Sequence, residues 1–387
     1  MKITKAESFL ANAGLRNYLF VRITADNGLY GIGEASLEWQ EKAVESLLNE
    51  WVFGKILGKD PTEIEKITSD LIRDQYQGGA TILTAISSVE IALWDLLGKS
   101  CGQPVFKLLG GAYHRKLLAY ANGWYGGAES PEDYASMAME VVQRGYSVMK
   151  FDPLRTAWQT MDLSEREFVV AVFAKVREAV GTRIGLILEI HGRLSTHSAI
   201  ELLRDLEPYD LFWCEEPVPP EKMEACAEVR HQVTTRISAG ERWYQLMEHA
   251  RAFEMGACDI VQPDIAHCGG LLMTKKIAAL ASVRDIVVCP HVSIGPVALA
   301  AALHFDISTS NFYLQETFSD FDVPWRDDLV GGWNPLRNGR FELSDQPGLG
   351  LDLNLDAIMS HPYQHHSFPS LWDQQWQTDF TQNERQS

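Results

Sequence analysis

Residues 185–193 read GLILEIHGR, 211–218 LFWCEEPV, 237–243 ISAGERW, 260–270 IVQPDIAHCGG and 287–291 VVCPH. In each, a short apolar run ends in an acidic residue or a histidine, and a segment with helical spacing follows. That rhythm predicts a barrel of parallel strands, which gathers its chemistry at the C-terminal strand ends. The alternation extends outward in both directions. LLAYANG (117–123) and YSVMKFD (146–152) precede the stretch, and NFYLQE (311–316) follows it. The seven segments between strands, from SPEDYASMAMEVVQRG (130–145) to PVALAAALHFDIST (296–309), carry apolar residues three and four apart. Eight strands and seven helices predict an α/β protein, a (β/α)7β TIM-like barrel over residues 117–330. The competing class is a doubly wound Rossmann-like sheet. Against it, no GxGxxG follows the first strand, and polar endings recur on nearly every strand.

Residues 1–116 read differently. A meander is expected over residues 1–35, with a turn at Asp26-Asn27-Gly28. Helical spacing runs from Glu41 to Leu57, PTEIEKITSDLIRDQY opens with proline and early acids, and TILTAISSVEIALWDLLGKSCG is a strongly apolar helix ending at Gly98 or Gly102. Strands followed by helices make an α+β capping domain. DQYQGGA (74–80) reads either as a mobile loop over a site or as a plain helix connection. Residues 331–387 hold one hairpin-like piece, GRFEL, and an aromatic, polar tail expected to return to the cap and wrap the barrel or a neighbouring subunit, its last eight residues frayed. His361, His365 and His366 lie there without the carboxylate spacing a metal site needs.

The chain has 387 residues, 22% of them charged, and a net charge of −18, which argues against a nucleic-acid partner. The six cysteines are scattered with no CxxC pair, as expected of reduced thiols in a cytoplasmic protein. The start MKITKAESFL does not read as a signal peptide, and no run approaches a membrane span, so no membrane partner is expected.

Glu189, Glu215 and Glu241 each close an expected strand, each 26 residues after the one before. Three carboxylates converging on one mouth repel one another unless a hard cation sits between them, and Mg2+ prefers oxygen ligands. Separate salt bridges are the alternative. His191, two residues after Glu189, faces the same side if the strand continues, and is placed to protonate a leaving group. Asp264 and His291 end the sixth and seventh strands, where a carboxylate would orient the ring and raise its basicity. His267 competes for that pairing. Lys150 is expected to neutralise a substrate carboxylate or enolate, and Glu316 to accept a hydrogen bond near it. Arg193 is a loop cation whose role the residues leave open, Arg242 follows Glu241, and both are candidate substrate contacts. This set suits abstraction of a weakly acidic proton beside a carboxylate.

YLFVRITADNGLYGIGEA, GKDPTEIE, AISSVEIALWDLLGKSCGQPVFKLLGG, QPDIAHCGG and PHVSIGPVALAA resemble the enolase superfamily in its mandelate racemase and muconate lactonising branch. The closest resemblance is to acid-sugar dehydratases of the D-galactonate type, and it covers nearly the whole chain. It implies Mg2+ on Glu189, Glu215 and Glu241, an Asp264–His291 base dyad, His191 as the acid expelling a 3-hydroxyl, and a 2-keto-3-deoxy acid as product. It also implies that loops near Leu15–Asn17 and Tyr76–Gly79 choose the substrate, and a homo-oligomer, dimeric or octameric. Two departures stand out. The racemases' KxK is here Lys150-Phe151-Asp152, which removes the second basic lysine and leaves Asp152 on the substrate side. Glu189 stands where many relatives have aspartate. The alternatives are an acid-sugar epimerase or lactone cycloisomerase of the same superfamily, and a catalytically weak sugar-acid binding or regulatory protein.

Overall fold

The structure, a computed structural model, describes residues 1–366, so the expected fraying and the end of the wrapping tail lie outside the described residues. The chain opens with three antiparallel strands, β1 (Ile3–Ala13), β2 (Arg16–Ala25) and β3 (Tyr30–Glu34). Gly28 supplies the left-handed residue of the turn before β3. Three helical stretches follow. The first, expected as one helix, runs Glu41–Leu47 and Phe53–Ile56 with a π-helical turn at Leu48–Val52 between them. The second is Ile64–Asp74. The third, Ala80–Cys101, ends on left-handed Gly102. By length and composition this last helix is long enough to cross a membrane, which the sequence was not expected to offer. It is 78% buried along its apolar window because it is the core of the α+β cap.

The barrel is the expected (β/α)7β. Its parallel strands are β4 (Leu117–Ala121), β5 (Val148–Phe151), β6 (Gly185–Glu189), β7 (Trp213–Glu215), β8 (Ile237–Ala239), β9 (Ile260–Val261), β10 (Val287–Val288) and β11 (Gln315–Thr317). β11 pairs with β4, and the Val288–Phe312 bridge joins β10 to the run before β11, which closes the ring. Local signals start the intervening helices. Ser130 and Asp133 cap each other's backbone ahead of Pro131, and Asp162 and Glu165 do the same for helix Leu163–Val180. Below the barrel, β12 (Leu336–Arg337) and β13 (Arg340–Phe341) form the hairpin expected from GRFEL, and β13 pairs antiparallel with β4. The chain then meets the cap, where Leu349 N–H donates to Asp95 at 2.7 Å and Asn12 N–H to the His361 carbonyl at 2.8 Å. His361 stacks on Trp325, a packing role.

Two buried cap carboxylates dock the domains. Glu34, ending β3, accepts from Gly295, Val297 and Ala298 N–H at 2.7–3.0 Å, capping helix Pro296–Ile307. Glu90, inside helix Ala80–Cys101, accepts from Leu271 and Leu272 N–H at 2.8 and 2.9 Å, capping helix Leu271–Ser282. Helix N-termini present unpaired donors and a positive dipole end, so a carboxylate from the other domain suits them. Glycine allows the approach. A Cβ on Gly270 would lie 2.1 Å from Glu90 Oε2, and one on Gly295 2.4 Å from Glu34 Oε1.

Candidate active site

A cavity of about 280 Å3 opens at the C-terminal mouth of the barrel, walled by both domains. Lys150, Glu189, His191, Glu241, Arg242 and His291 come from the barrel, and Arg16, Glu38 and Trp39 from the cap. Glu189 and Glu215 end adjacent strands in register. Glu241 lies two residues past β8, beyond left-handed Gly240, rather than on the strand itself. Ligand atoms of the three lie within 4.8 Å of one another. Burial pushes Glu189 and Glu241 up to about 7 and Glu215 to about 8; neighbouring carboxylates add to this and Lys150 opposes it. Among the described residues, Glu189 Oε2 is buried and accepts no hydrogen bond, although Lys150 Nζ is 3.1 Å away. An all-oxygen set with an orphaned, desolvated carboxylate oxygen fits a hard divalent cation such as Mg2+.

Lys150 is buried among carboxylates, against Glu215, 3.1 Å from Glu189 and 2.8 Å from Glu316. Burial works against its charge, but these three carboxylates hold it protonated, well above the ordinary lysine range. Its ammonium therefore neutralises protein carboxylates, although it was expected to serve a substrate carboxylate. Glu316 is likewise occupied, accepting from Asn122 at 2.8 Å and from Val292 N–H at 3.1 Å. Lys150 and His291 hold it ionised against the pull of burial.

The structure brings Asp264 and His291 together through a backbone bridge, with His291 Nδ1 2.7 Å from Asp264 Oδ2. His267 stands 3.4 Å from the same oxygen, but its Nε2 meets the Ser36 carbonyl in the cap at 2.9 Å. Burial disfavours a charged His291, yet Glu241, Glu316 and Asp264 raise the ring well above the ordinary histidine range; a cation held by Glu241 would offset that carboxylate's pull and favour the neutral ring a base needs.

His191 reaches the cavity by another route than period two. β6 stops at Glu189, and His191 sits in a left-handed turn at φ +52°, its N–H donating to Glu189 Oε1 at 2.7 Å. Its ring Nδ1 is 2.7 Å from Asp152 Oδ2. Three expected substrate contacts are absent from the cavity wall. Asp152 and Arg193 are buried beneath it and pair at 2.5 Å, because an arginine this deep needs a carboxylate. Tyr76 is 96% exposed in the connection before helix Ala80–Cys101, which leaves its side chain in solvent. Arg242 does line the cavity, held by Glu216, Nε 3.1 Å from Oε1.

Arg16 lies in the Leu15–Asn17 loop that the resemblance placed at the substrate, whereas sequence reading passed over Glu38 and Trp39. Arg16 follows the β1–β2 turn and pairs with Asp322 at 3.1 Å; Glu38 accepts from Ser293 at 2.5 Å; the Trp39 indole donates to the Leu15 carbonyl at 3.1 Å. No local motif marks them, since only the docking of the cap brings them to the barrel mouth.

Residues 133–357 match the family described as Enolase C-terminal domain-like, and residues 10–110 match the Mandelate racemase / muconate lactonizing enzyme, N-terminal domain. The chain belongs to the enolase superfamily. Within this superfamily it is 35% identical over 335 residues to a D-gluconate/D-galactonate dehydratase of Picrophilus torridus, covering 86% of this chain and 85% of the relative. It is 31% identical to a D-mannonate dehydratase of Caulobacter vibrioides, covering 95% and 97%. Among solved structures, a mandelate racemase/muconate lactonizing enzyme from Jannaschia sp. CCS1 superposes with a TM-score of 0.88 at 31% identity, covering 95% of this chain and 99% of that one.

Proposed function

We propose that this chain is a Mg2+-dependent acid-sugar dehydratase. It removes the C2 proton of an aldonate such as galactonate or gluconate and expels the C3 hydroxyl, leaving a 2-keto-3-deoxy acid. The observation that carries this reading is the placement of two histidines on opposite sides of one cavity. His291 follows β10 and His191 follows β6, with three strands between them, and the carboxylate triad runs from β6 to the end of β8. Glu189, Glu215 and Glu241 would hold Mg2+, which supplies positive charge for the substrate's carboxylate as C2 is deprotonated. His291, oriented by Asp264 through Nδ1, presents Nε2 to the C2 proton. His191 delivers a proton to the departing hydroxyl. Arg16 and Arg242 line the wall where a polyhydroxy acid would lie. The dehydratases among the similar proteins act, by name, on gluconate, galactonate and mannonate, which supports an aldonate substrate.

Purified protein with Mg2+ is screened against mono- and diacid sugars, scoring 2-keto-3-deoxy product with semicarbazide. A product lost on chelation and restored by Mg2+ is expected. C2 deuterium exchange without loss of water would instead favour an acid-sugar epimerase, a reading that two histidines facing one cavity also permit. The family resemblance points to a cytoplasmic homo-oligomer, dimer or octamer, which sedimentation of the purified protein measures.

A further inference from the structure

Asp152 is fully buried, and both of its oxygens are taken by protein. Arg193 Nη2 lies 2.5 Å from each oxygen, Leu154 N–H donates to Oδ1 at 2.9 Å, and His191 Nδ1 is 2.7 Å from Oδ2. The guanidinium is itself fixed by the carbonyls of Ile190 and Arg155, each at 3.0 Å. The carboxylate therefore has one orientation. An ionised carboxylate only accepts hydrogen bonds, so the hydrogen shared with His191 belongs to Nδ1. Nε2 is on the opposite edge of the ring, and the ring lines the cavity.

We propose that Asp152 is a positioning residue for the water-losing step, holding His191 with Nδ1–H on the carboxylate and Nε2 toward the C3 hydroxyl. This rests on the dehydratase reading and assigns it a second histidine–carboxylate pair. In the step, His191 carries a proton on both nitrogens. The C3–O bond breaks, its electron pair leaves with the oxygen, and that oxygen takes the Nε2 proton and departs as water. The electrons freed at C2, when its proton passes to His291, form the C2=C3 bond. The resulting enol tautomerises to the 2-keto-3-deoxy acid. His191 ends neutral, with its remaining proton still on Nδ1 facing Asp152. Arg193 serves the same end indirectly, because without it the carboxylate could rotate away from the ring.

The test is Asp152→Asn assayed in D2O, following 2-keto acid formation and deuterium at C2 of recovered substrate together. The asparagine oxygen satisfies Arg193, which turns the amide nitrogen to the ring and forces Nδ1 to accept. Dehydration is expected to fall about 100-fold or more, the usual worth of a positioned acid. C2 exchange, which uses His291 and not His191, is expected to stay within about threefold, and His191→Asn should give the same split. Parallel loss of both activities, with Mg2+ binding intact, would overturn the positioning role alone. Absence of product and exchange in the unmodified protein would overturn the dehydratase reading, and this proposal with it. If the variant does not fold, nitrogen-15 histidine spectra of the unmodified protein at alkaline pH decide the matter. A neutral His191 protonated on Nδ1 is expected, and one protonated on Nε2 overturns the proposal.

Discussion

Gly270→Ala tests how the cap is docked. Gly270 stands at φ +91° and ψ −168°, a region that only glycine adopts readily, so alanine is strained there by about 1–3 kcal/mol. The larger effect is steric. The new methyl would lie 2.1 Å from Glu90 Oε2 and 2.5 Å from Glu90 Cδ. That overlap is relieved only by moving the carboxylate, which then releases the Leu271 and Leu272 N–H groups. Each buried donor left unmatched costs about 1–3 kcal/mol. The substitution is expected to destabilise the protein by roughly 3–9 kcal/mol in all, most of it through Glu90. Urea unfolding followed by tryptophan fluorescence measures this, and a double-mutant cycle isolates the cause. In a Glu90→Ala background the two donors are already unmatched and the carboxylate is gone, leaving only the Cβ of residue 90, 2.9 Å from the new methyl. Gly270→Ala should then cost its backbone strain and that one residual contact, at least about 2 kcal/mol less than in the unmodified protein, where two N–H donors are also released. Equal cost in both backgrounds would refute the docking argument and leave a glycine required for its backbone angles alone.

Three further outcomes follow from the site. His291→Asn should abolish both turnover and C2 deuterium exchange while Mg2+ binding survives; near-normal rates by the semicarbazide assay would remove His291 from the base role. Glu241→Gln should weaken Mg2+ binding by about tenfold or more in calorimetry, because it takes away one of three charged oxygen donors. Asp152 is held down to about 2 from 3.8: burial opposes this, and Arg193 and His191 overcome it. A depressed carboxyl contributes stability that is complete above its unfolded value and lost as pH falls through the folded one. Between pH 4 and 2 the unmodified protein should therefore lose about 2 kcal/mol more than Asp152→Asn, read from urea midpoints at each pH.

The barrel was legible because its signals are local. Each strand is a short apolar run, each helix shows its spacing, and starts such as Ser130-Pro131 and Asp162 sit within one turn of what they cap. The three carboxylates were legible for the same reason, at regular intervals on or just past successive strands, and His291 as a polar residue shortly after an apolar run. Errors arose where function depends on what lies behind a residue. Asp152 and Arg193 carry the charges of substrate ligands, but sequence does not reveal that they neutralise each other beneath the cavity floor. Lys150 looked like a cation for substrate because three strands had to fold before Glu189, Glu215 and Glu316 surrounded it. Tyr76 differs: the resemblance put it at the substrate, spacing alone left its loop as either a cover or a plain helix connection, and its ring meets solvent.

The cap's contribution was the least legible, and it bears most directly on how the site is built. One short stretch, Glu34 to Trp39, touches nearly every part of the base side. Glu34 caps the helix that begins five residues after His291, and the Ser36 carbonyl holds His267, which stands beside Asp264. Glu38 takes the Ser293 hydroxyl, and Trp39 ties the stretch to the β1–β2 turn that carries Arg16. Cap docking and base geometry are therefore one cooperative unit, because the same hydrogen bonds serve both. Loosening the Glu90 contact should disturb stability first, since it lies on helix Leu271–Ser282, beyond the Asp264–His267 turn. Loosening the Glu34 contact should disturb the His291 loop as well. A Glu34 variant that lost stability but kept its full rate of C2 exchange would show that the cap only covers the base and does not position it.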